Sequence, residues 1–213
     1  MNGLFVIAGG GTGGHLFPGL AVAHEARRRQ PDQPILYVSR DDPKEREHVE
    51  KSGFEFKGVT VRGLQRQRMY KNVRIVFEHM KAMLQMKGTL RGADRGAVLG
   101  VGGYASAPAV LAARLTRWPI VLHEQNSYPG VVTRWFSRHA AAVCTSFEES
   151  HPHLQGPNPI LTGVPVRPEV QPPENWSRPA EVKKPPCILV LGGSQGARAL
   201  VRAAMDAIPY LEK

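Results

Sequence analysis

The chain has 213 residues, with 28 Lys+Arg against 18 Asp+Glu for a net charge of +10, and is 42% hydrophobic and 22% charged. This length suits one large or two small domains whose core needs no disulfide or metal staple. The composition excludes intrinsic disorder and coiled coil, and the positive balance favours polyanionic partners, although solubility alone also accounts for it. Cys144 and Cys187 lie far apart and in no CxxC, which excludes a disulfide framework and a cysteine zinc site and suits a reducing compartment. No apolar run approaches the ~20 residues of a membrane span. The start lacks the basic region of a signal peptide, so a cytoplasmic protein is expected.

The first predicted strand, Leu4–Ala8, runs into Gly9-Gly10-Gly11-Thr12-Gly13-Gly14-His15 and then a helix over Leu20–Arg29. Glycines let a backbone approach a ligand closely, and free amides at a helix start attract phosphate. The run formally contains G-x-G-x-x-G. However, His15 stands where a dinucleotide site needs only backbone, and there is no G-K-[ST] of a Walker loop. A plain strand–helix turn stays open, as does half of an NAD-dependent dehydrogenase. A strand over Ile35–Ser39, a helix over Lys44–Ser52 and a strand over Phe56–Val61 follow.

The stretch from Arg62 to Arg95 holds most of the excess positive charge, around a helix predicted over Asn72–Leu90. At ~100° per residue, Val73, Val76, Phe77, Met80, Met83 and Leu84 share a face expected to pack on the sheet. Lys71, Arg74 and Lys81 fall on another face, with Ile75, Ala82 and Met86 beside them and outside the core stripe. Apolar residues flanked by cations suggest docking on an anionic membrane surface, with a solvated face as the plainer alternative. Only Tyr70 and Phe77 are aromatic there, so no stacking platform for nucleic acid is evident.

The next predicted strand, Ala97–Val101, ends in Gly102-Gly103-Tyr104, which combines close backbone approach with a hydrogen-bonding aromatic. A helix over Pro108–Thr116 leads to a strand over Ile120–His123 and its polar end His123-Glu124-Gln125-Asn126. A helix over Val131–Arg138 and a strand over Ala142–Thr145 precede His151 and His153, which read as surface loop. Gly163-Val164-Pro165-Val166-Arg167 brings an arginine able to bind phosphate bidentately. Strand–helix alternation predicts an α/β fold, a parallel doubly wound sheet over residues 1–164 with ligands at the carboxyl ends of its strands. Seven prolines between Pro165 and Pro186 read as an interdomain linker. A fresh strand over Ile188–Leu191, the loop Gly192–Gly196 with Ser194 and Gln195, and a helix over Ala197–Ile208 read as the start of an incomplete second Rossmann-like domain, residues 187–213. No H-E-x-x-H or D-x-D occurs.

Taken in order, Gly10-Gly11-Thr12-Gly13-Gly14-His15 with Phe17-Pro18-Gly19-Leu20-Ala21, then Gly102-Gly103-Tyr104, His123-Glu124-Gln125-Asn126, Gly163-x-Pro165-Val166-Arg167 and Gly192-Gly193-Ser194-Gln195-Gly196-Ala197 closely resemble the MurG family of N-acetylglucosaminyltransferases in glycosyltransferase family 28. The resemblance covers the whole chain. It implies a GT-B fold and transfer of GlcNAc from UDP-GlcNAc to lipid I with inversion, giving lipid II in peptidoglycan synthesis. It also implies a peripheral position on the inner face of the cell membrane, and no metal or other cofactor. His15 would be the general base, its pKa range suiting that task. Thr12, Gly13, Gly14, Asn126, Arg167, Ser194 and Gln195 would meet the donor. Gly10, Gly11, Gly102, Gly103, Tyr104 and Glu124 would hold the acceptor diphosphate.

Two departures stand out. Val164 replaces the family's usual asparagine, and the second domain ends after its first helix. The expectation is a fragment inactive alone. Two other readings remain: a GT-B transferase with a soluble acceptor, and a non-catalytic module binding anionic lipid.

Overall fold

Six of the seven predicted strands form, and a seventh that the sequence pattern did not announce joins them. They are β1 (Phe5–Ala8), β2 (Ile35–Arg40), β3 (Glu55–Val59), β4 (Ala97–Gly100), β5 (Ile120–Glu124), β6 (Ala142–Thr145) and the two-residue β7 (Ile160–Leu161). All pair in parallel, in the order β3-β2-β1-β4-β5-β6-β7. The helices are α1 (Gly13–Arg29), α2 (Pro43–Lys51), α3 (Asn72–Arg91), α4 (Ala107–Thr116), α5 (Val131–Phe136) and α6 (Arg198–Leu211). The computed structural model describes residues 3–63, 72–173, 175–177, 187–192 and 197–211. Two compact units divide it, Met1–Gln171 and Pro172–Lys213.

In the first unit the central strands are apolar throughout because both faces are covered. Side chains alternate along a strand, so the register sorts them into rows. Val6 lies beside Leu36 and Val98, and Val98 beside Ile120. That row packs with Ala82, Met86 and Leu90 of α3 and Ala109, Val110, Ala112 and Ala113 of α4. Ile7 lies beside Tyr37 and Leu99, and this second row packs with Leu16, Leu20 and Ala23 of α1 and Val49 of α2. The result is three layers, with α1 and α2 on one face of the sheet and α3 and α4 on the other.

Local chemistry sets the helix ends. Asp42 caps α2, its Oδ1 accepting from Lys44 N at 3.0 Å and Glu45 N at 3.3 Å, with Pro43 in the first turn. Arg117 stops α4 in the left-handed conformation at φ 59°, and Trp118 N closes onto Ala113 O at 2.9 Å.

The orientation of α3 corrects the helical-wheel expectation. Ile75 and Met86, expected at a membrane-facing surface, are 4% and 0% exposed, and Ala82 is 2% exposed. Val73, Val76, Phe77, Met80 and Leu84, expected in the core, are exposed, and Met83 is partly buried. The helix carries two apolar stripes, and small side chains decide between them. Ala82 lets α3 approach the alanine-rich face of α4 closely, as ridge-into-groove packing favours. The same stripe continues to Leu90, which the other face cannot match. Arg74 and Lys81 remain exposed, as expected, and Lys71 lies outside the described residues. No described helix is long and apolar enough to cross a membrane.

In the second unit α6 forms, but Ile188–Leu191 is not a strand, against expectation. Those four residues are exposed, as is most of α6, which has no buried residue. A strand exists by pairing, and this unit has no second strand among the described residues.

Candidate functional site

The sheet order reverses between β1 and β4, so the connections leaving these strands diverge to opposite faces and open a crevice at their carboxyl ends. The Gly9–Thr12 turn and the Val101–Gly103 loop line that crevice and touch each other. Gly102 and Gly103 adopt φ 91° and 72°, values that suit glycine. A Cβ on Gly103 would stand 2.5 Å from Gly10 O, and one on Gly102 would stand 2.8 Å from His15 Cδ2. The two loops therefore interlock through bare backbone, with the imidazole wedged between them.

His15 projects from the first turn of α1. Its Nδ1 lies 2.9 Å from Thr12 Oγ1. Its Nε2 lies beside Gly102, 3.1 Å from where a Cβ on that residue would sit. Burial pushes the imidazole below its ordinary pKa, against the opposing charges of Glu124 and Glu45. Such a group is neutral and able to accept a proton near pH 7. Gly13 and Gly14 open α1, where a helix leaves its first amides without intrahelical acceptors.

The polar end of β5 forms the far wall. His123 Nε2–H donates to Gly163 O at 3.0 Å, so its Nδ1 accepts from Gln125 Nε2 at 2.9 Å. Burial depresses the His123 pKa as well. Gln125 Nε2 also donates to Val101 O at 3.0 Å. The Gln125 Oε1 is buried without a hydrogen-bond partner and would lie 3.4 Å from a Cβ on Gly102. That leaves a free acceptor beside His15.

Glu124, expected to hold an acceptor, is 2% exposed, and its carboxylate accepts from Asn126 N at 3.1 Å, Asn126 Nδ2 at 2.9 Å and Gly130 N at 2.9 Å. It anchors the loop that carries Asn126, whose side chain is exposed. Tyr104 leans over the glycine turn, its hydroxyl 3.3 Å from where a Gly11 Cβ would sit. The Arg167 guanidinium stacks 4.1 Å above the Phe17 ring of α1. Val164 is 44% exposed.

The structure thus gathers Gly10, Gly11, Thr12, His15, Gly102, Gly103 and Tyr104 around one crevice. Glu124 and Asn126 border it through Gln125, and Arg167 joins α1 through Phe17. Ser194 and Gln195 lie outside the described residues. Two contributors escaped the motif reading. Gln125 sits inside the His123–Asn126 run and was recoverable from it. Glu45 on α2 accepts the Gly11 N–H at 2.9 Å and bears only the signal of a helix start after Asp42.

Residues 5–145 match the Glycosyltransferase family 28 N-terminal domain. The curated UDP-N-acetylglucosamine--N-acetylmuramyl-(pentapeptide) pyrophosphoryl-undecaprenol N-acetylglucosamine transferase of Porphyromonas gingivalis is 36% identical over 212 residues, 95% of this chain and 55% of that protein. The protein of the same name from an Anaeromyxobacter species is 40% identical over 207 residues, 97% of this chain and 54% of its own length. Among solved structures, Acinetobacter baumannii MurG superposes with a TM-score of 0.61 at 27% identity, covering 76% of this chain and 45% of that one. The chain spans about half the length of the curated relatives it matches.

Proposed function

The chain belongs to glycosyltransferase family 28, and from that premise we propose that it forms the acceptor half of an inverting GlcNAc transferase. In this reading UDP-GlcNAc is the donor and lipid I the acceptor, and the product is lipid II. The observation that carries the reading is His15, held between two interlocked glycine loops with Nδ1 at Thr12 and Nε2 beside Gly102.

The chemistry follows from that placement. His15 Nε2 takes the proton of a MurNAc hydroxyl as its oxygen attacks the anomeric carbon of GlcNAc. The bond to UDP breaks on the opposite face, and the configuration inverts. Negative charge grows on the leaving diphosphate. Arg167 and the Gly13 and Gly14 amides at the start of α1 would stabilise it. Thr12 orients the His15 ring through its hydroxyl, and Asn126, its Nδ2 held by Glu124, would offer its carboxamide oxygen to the donor. Gly102, Gly103 and Tyr104 would line the acceptor diphosphate, with Glu124 holding the wall behind them. No metal is required in this reading.

A polyprenyl acceptor resides in a bilayer. The exposed stripe Val73, Val76, Phe77, Met80 and Leu84, with Arg74 and Lys81 near it, would rest on an anionic cytoplasmic leaflet and place the enzyme peripherally on the inner face.

Residues 1–213 should bind anionic vesicles more tightly, by about 10-fold or more, when lipid I is present, since a specific headgroup contact adds to surface attraction. Co-sedimentation measures this. Binding that ignores lipid I would remove the acceptor reading and leave an anionic-lipid module. Absence of binding from a folded chain would favour a soluble acceptor.

A further inference from the structure

One amide of the first glycine turn is occupied from within. Gly11 N donates to Glu45 Oε1 at 2.9 Å, and the Ser39 hydroxyl donates to Glu45 Oε2. Glu45 is 8% exposed, an unusual place for a glutamate unless its charge is paired. Arg40 supplies the pairing, its Nη2 lying 3.7 Å from Glu45 Oε1 and 2.6 Å from Asp42 Oδ2. The helix start explains the geometry. In a capping box the third helical residue folds back on the N-cap amide. Here Asp42 and Pro43 set the turn so that Glu45 points across the end of β2. Gly10 is packed against it, and a Cβ there would stand 2.5 Å from Glu45 Oε2.

We propose that Glu45 is a positioning residue of the site: its carboxylate, standing where an anionic ligand would sit, locks the Gly9–Thr12 turn in the form that presents Thr12 and His15 to the crevice. The proposal rests on the reading of His15 as general base and deepens it. An N–H held by a carboxylate is closed to a phosphate, so this part of the turn aims the imidazole. The open amides that remain for phosphate are those starting α1. The charges facing His15 are Glu45 from α2 and Glu124 from β5, and both favour its protonated form.

The test uses the isotopically labelled full chain and reads two signals by NMR: the pH titration of the His15 ring and hydrogen exchange at the Gly11 amide. Glu45→Gln keeps shape and acceptor but removes the charge. Gly11 should stay protected, and His15 should titrate at lower pH by roughly a few tenths of a unit. Glu45→Ala removes the acceptor, and Gly11 exchange should quicken by about 10-fold or more. An unchanged His15 titration in Glu45→Gln, or wild-type Gly11 exchange in a folded Glu45→Ala, overturns the proposal. If Glu45→Ala does not fold, Gly11 exchange in Glu45→Asp decides: the shorter side chain withdraws the acceptor, so exchange should quicken, and wild-type exchange overturns the proposal. Neither readout needs turnover or lipid I, so failure of the transferase reading would show separately.

Discussion

Replacing His15 by alanine is expected to lower GlcNAc transfer to lipid I by about 10²–10⁴-fold in a two-domain enzyme carrying this chain as its first half. Acceptor binding should stay close to wild type. The imidazole sits between loops that are themselves bare backbone, so its removal takes the proposed proton acceptor and leaves the crevice. The alternatives nearby are poor bases. Gln125 does not take protons at these pH values, and the Glu124 carboxylate already accepts three N–H bonds.

The pH dependence follows in sign. With His15 as the proposed base, transfer requires its neutral form, and burial holds its pKa below the ordinary value. The acid limb of the rate profile should therefore fall below the usual imidazole midpoint of about 6.5. Stability follows the same direction. Unfolded His15 and His123 bind protons that the folded ones refuse. Their contribution is present above about pH 6.5 and is lost as pH falls through the folded values. A transfer rate unchanged in His15→Ala would place the base elsewhere.

The two faces of α3 should separate stability from membrane attachment. Met86→Ala opens a cavity where α3 meets α4 and should cost about 2–5 kcal/mol in urea unfolding. Phe77→Glu with Leu84→Glu alters only exposed positions, 66% and 56% accessible in the native side chains. Each such surface change should cost within about 0.5 kcal/mol. The same pair should cut binding to anionic vesicles by about 10-fold or more, through lost apolar insertion and added repulsion. A folded double variant that binds vesicles like wild type would contradict the membrane role. Stability insensitive to Met86→Ala would contradict the packing.

Some of this molecule was legible in its sequence. Strands β1, β4 and β5 announced themselves because runs such as Val6-Ile7-Ala8 are apolar on both faces, which only a covered sheet accommodates. The glycine loops and the polar end of β5 were legible because few packing arguments place such residues directly after a strand. The same apolar signature failed at Ile188–Leu191, where composition permits a strand but no described partner in that unit pairs with it. It failed differently in α3, where two stripes competed and the choice lay with Ala82 and the alanines of α4, a tertiary fact invisible to a helical wheel. β7 is two residues long and gives no periodic signal. Glu45 could not be ranked from sequence, because its part in the site comes from a distant element, the Gly11 amide; Gln125 stood within the polar run after β5, but its bond to Val101 is a tertiary fact.

The most direct measurement joins this chain to the C-terminal portion of the Anaeromyxobacter relative and follows labelled GlcNAc from UDP-GlcNAc into lipid I. The account expects lipid II from the joined protein and loss of that product with His15→Ala. A joined protein that folds and binds UDP-GlcNAc, yet leaves lipid I unmodified, would contradict it.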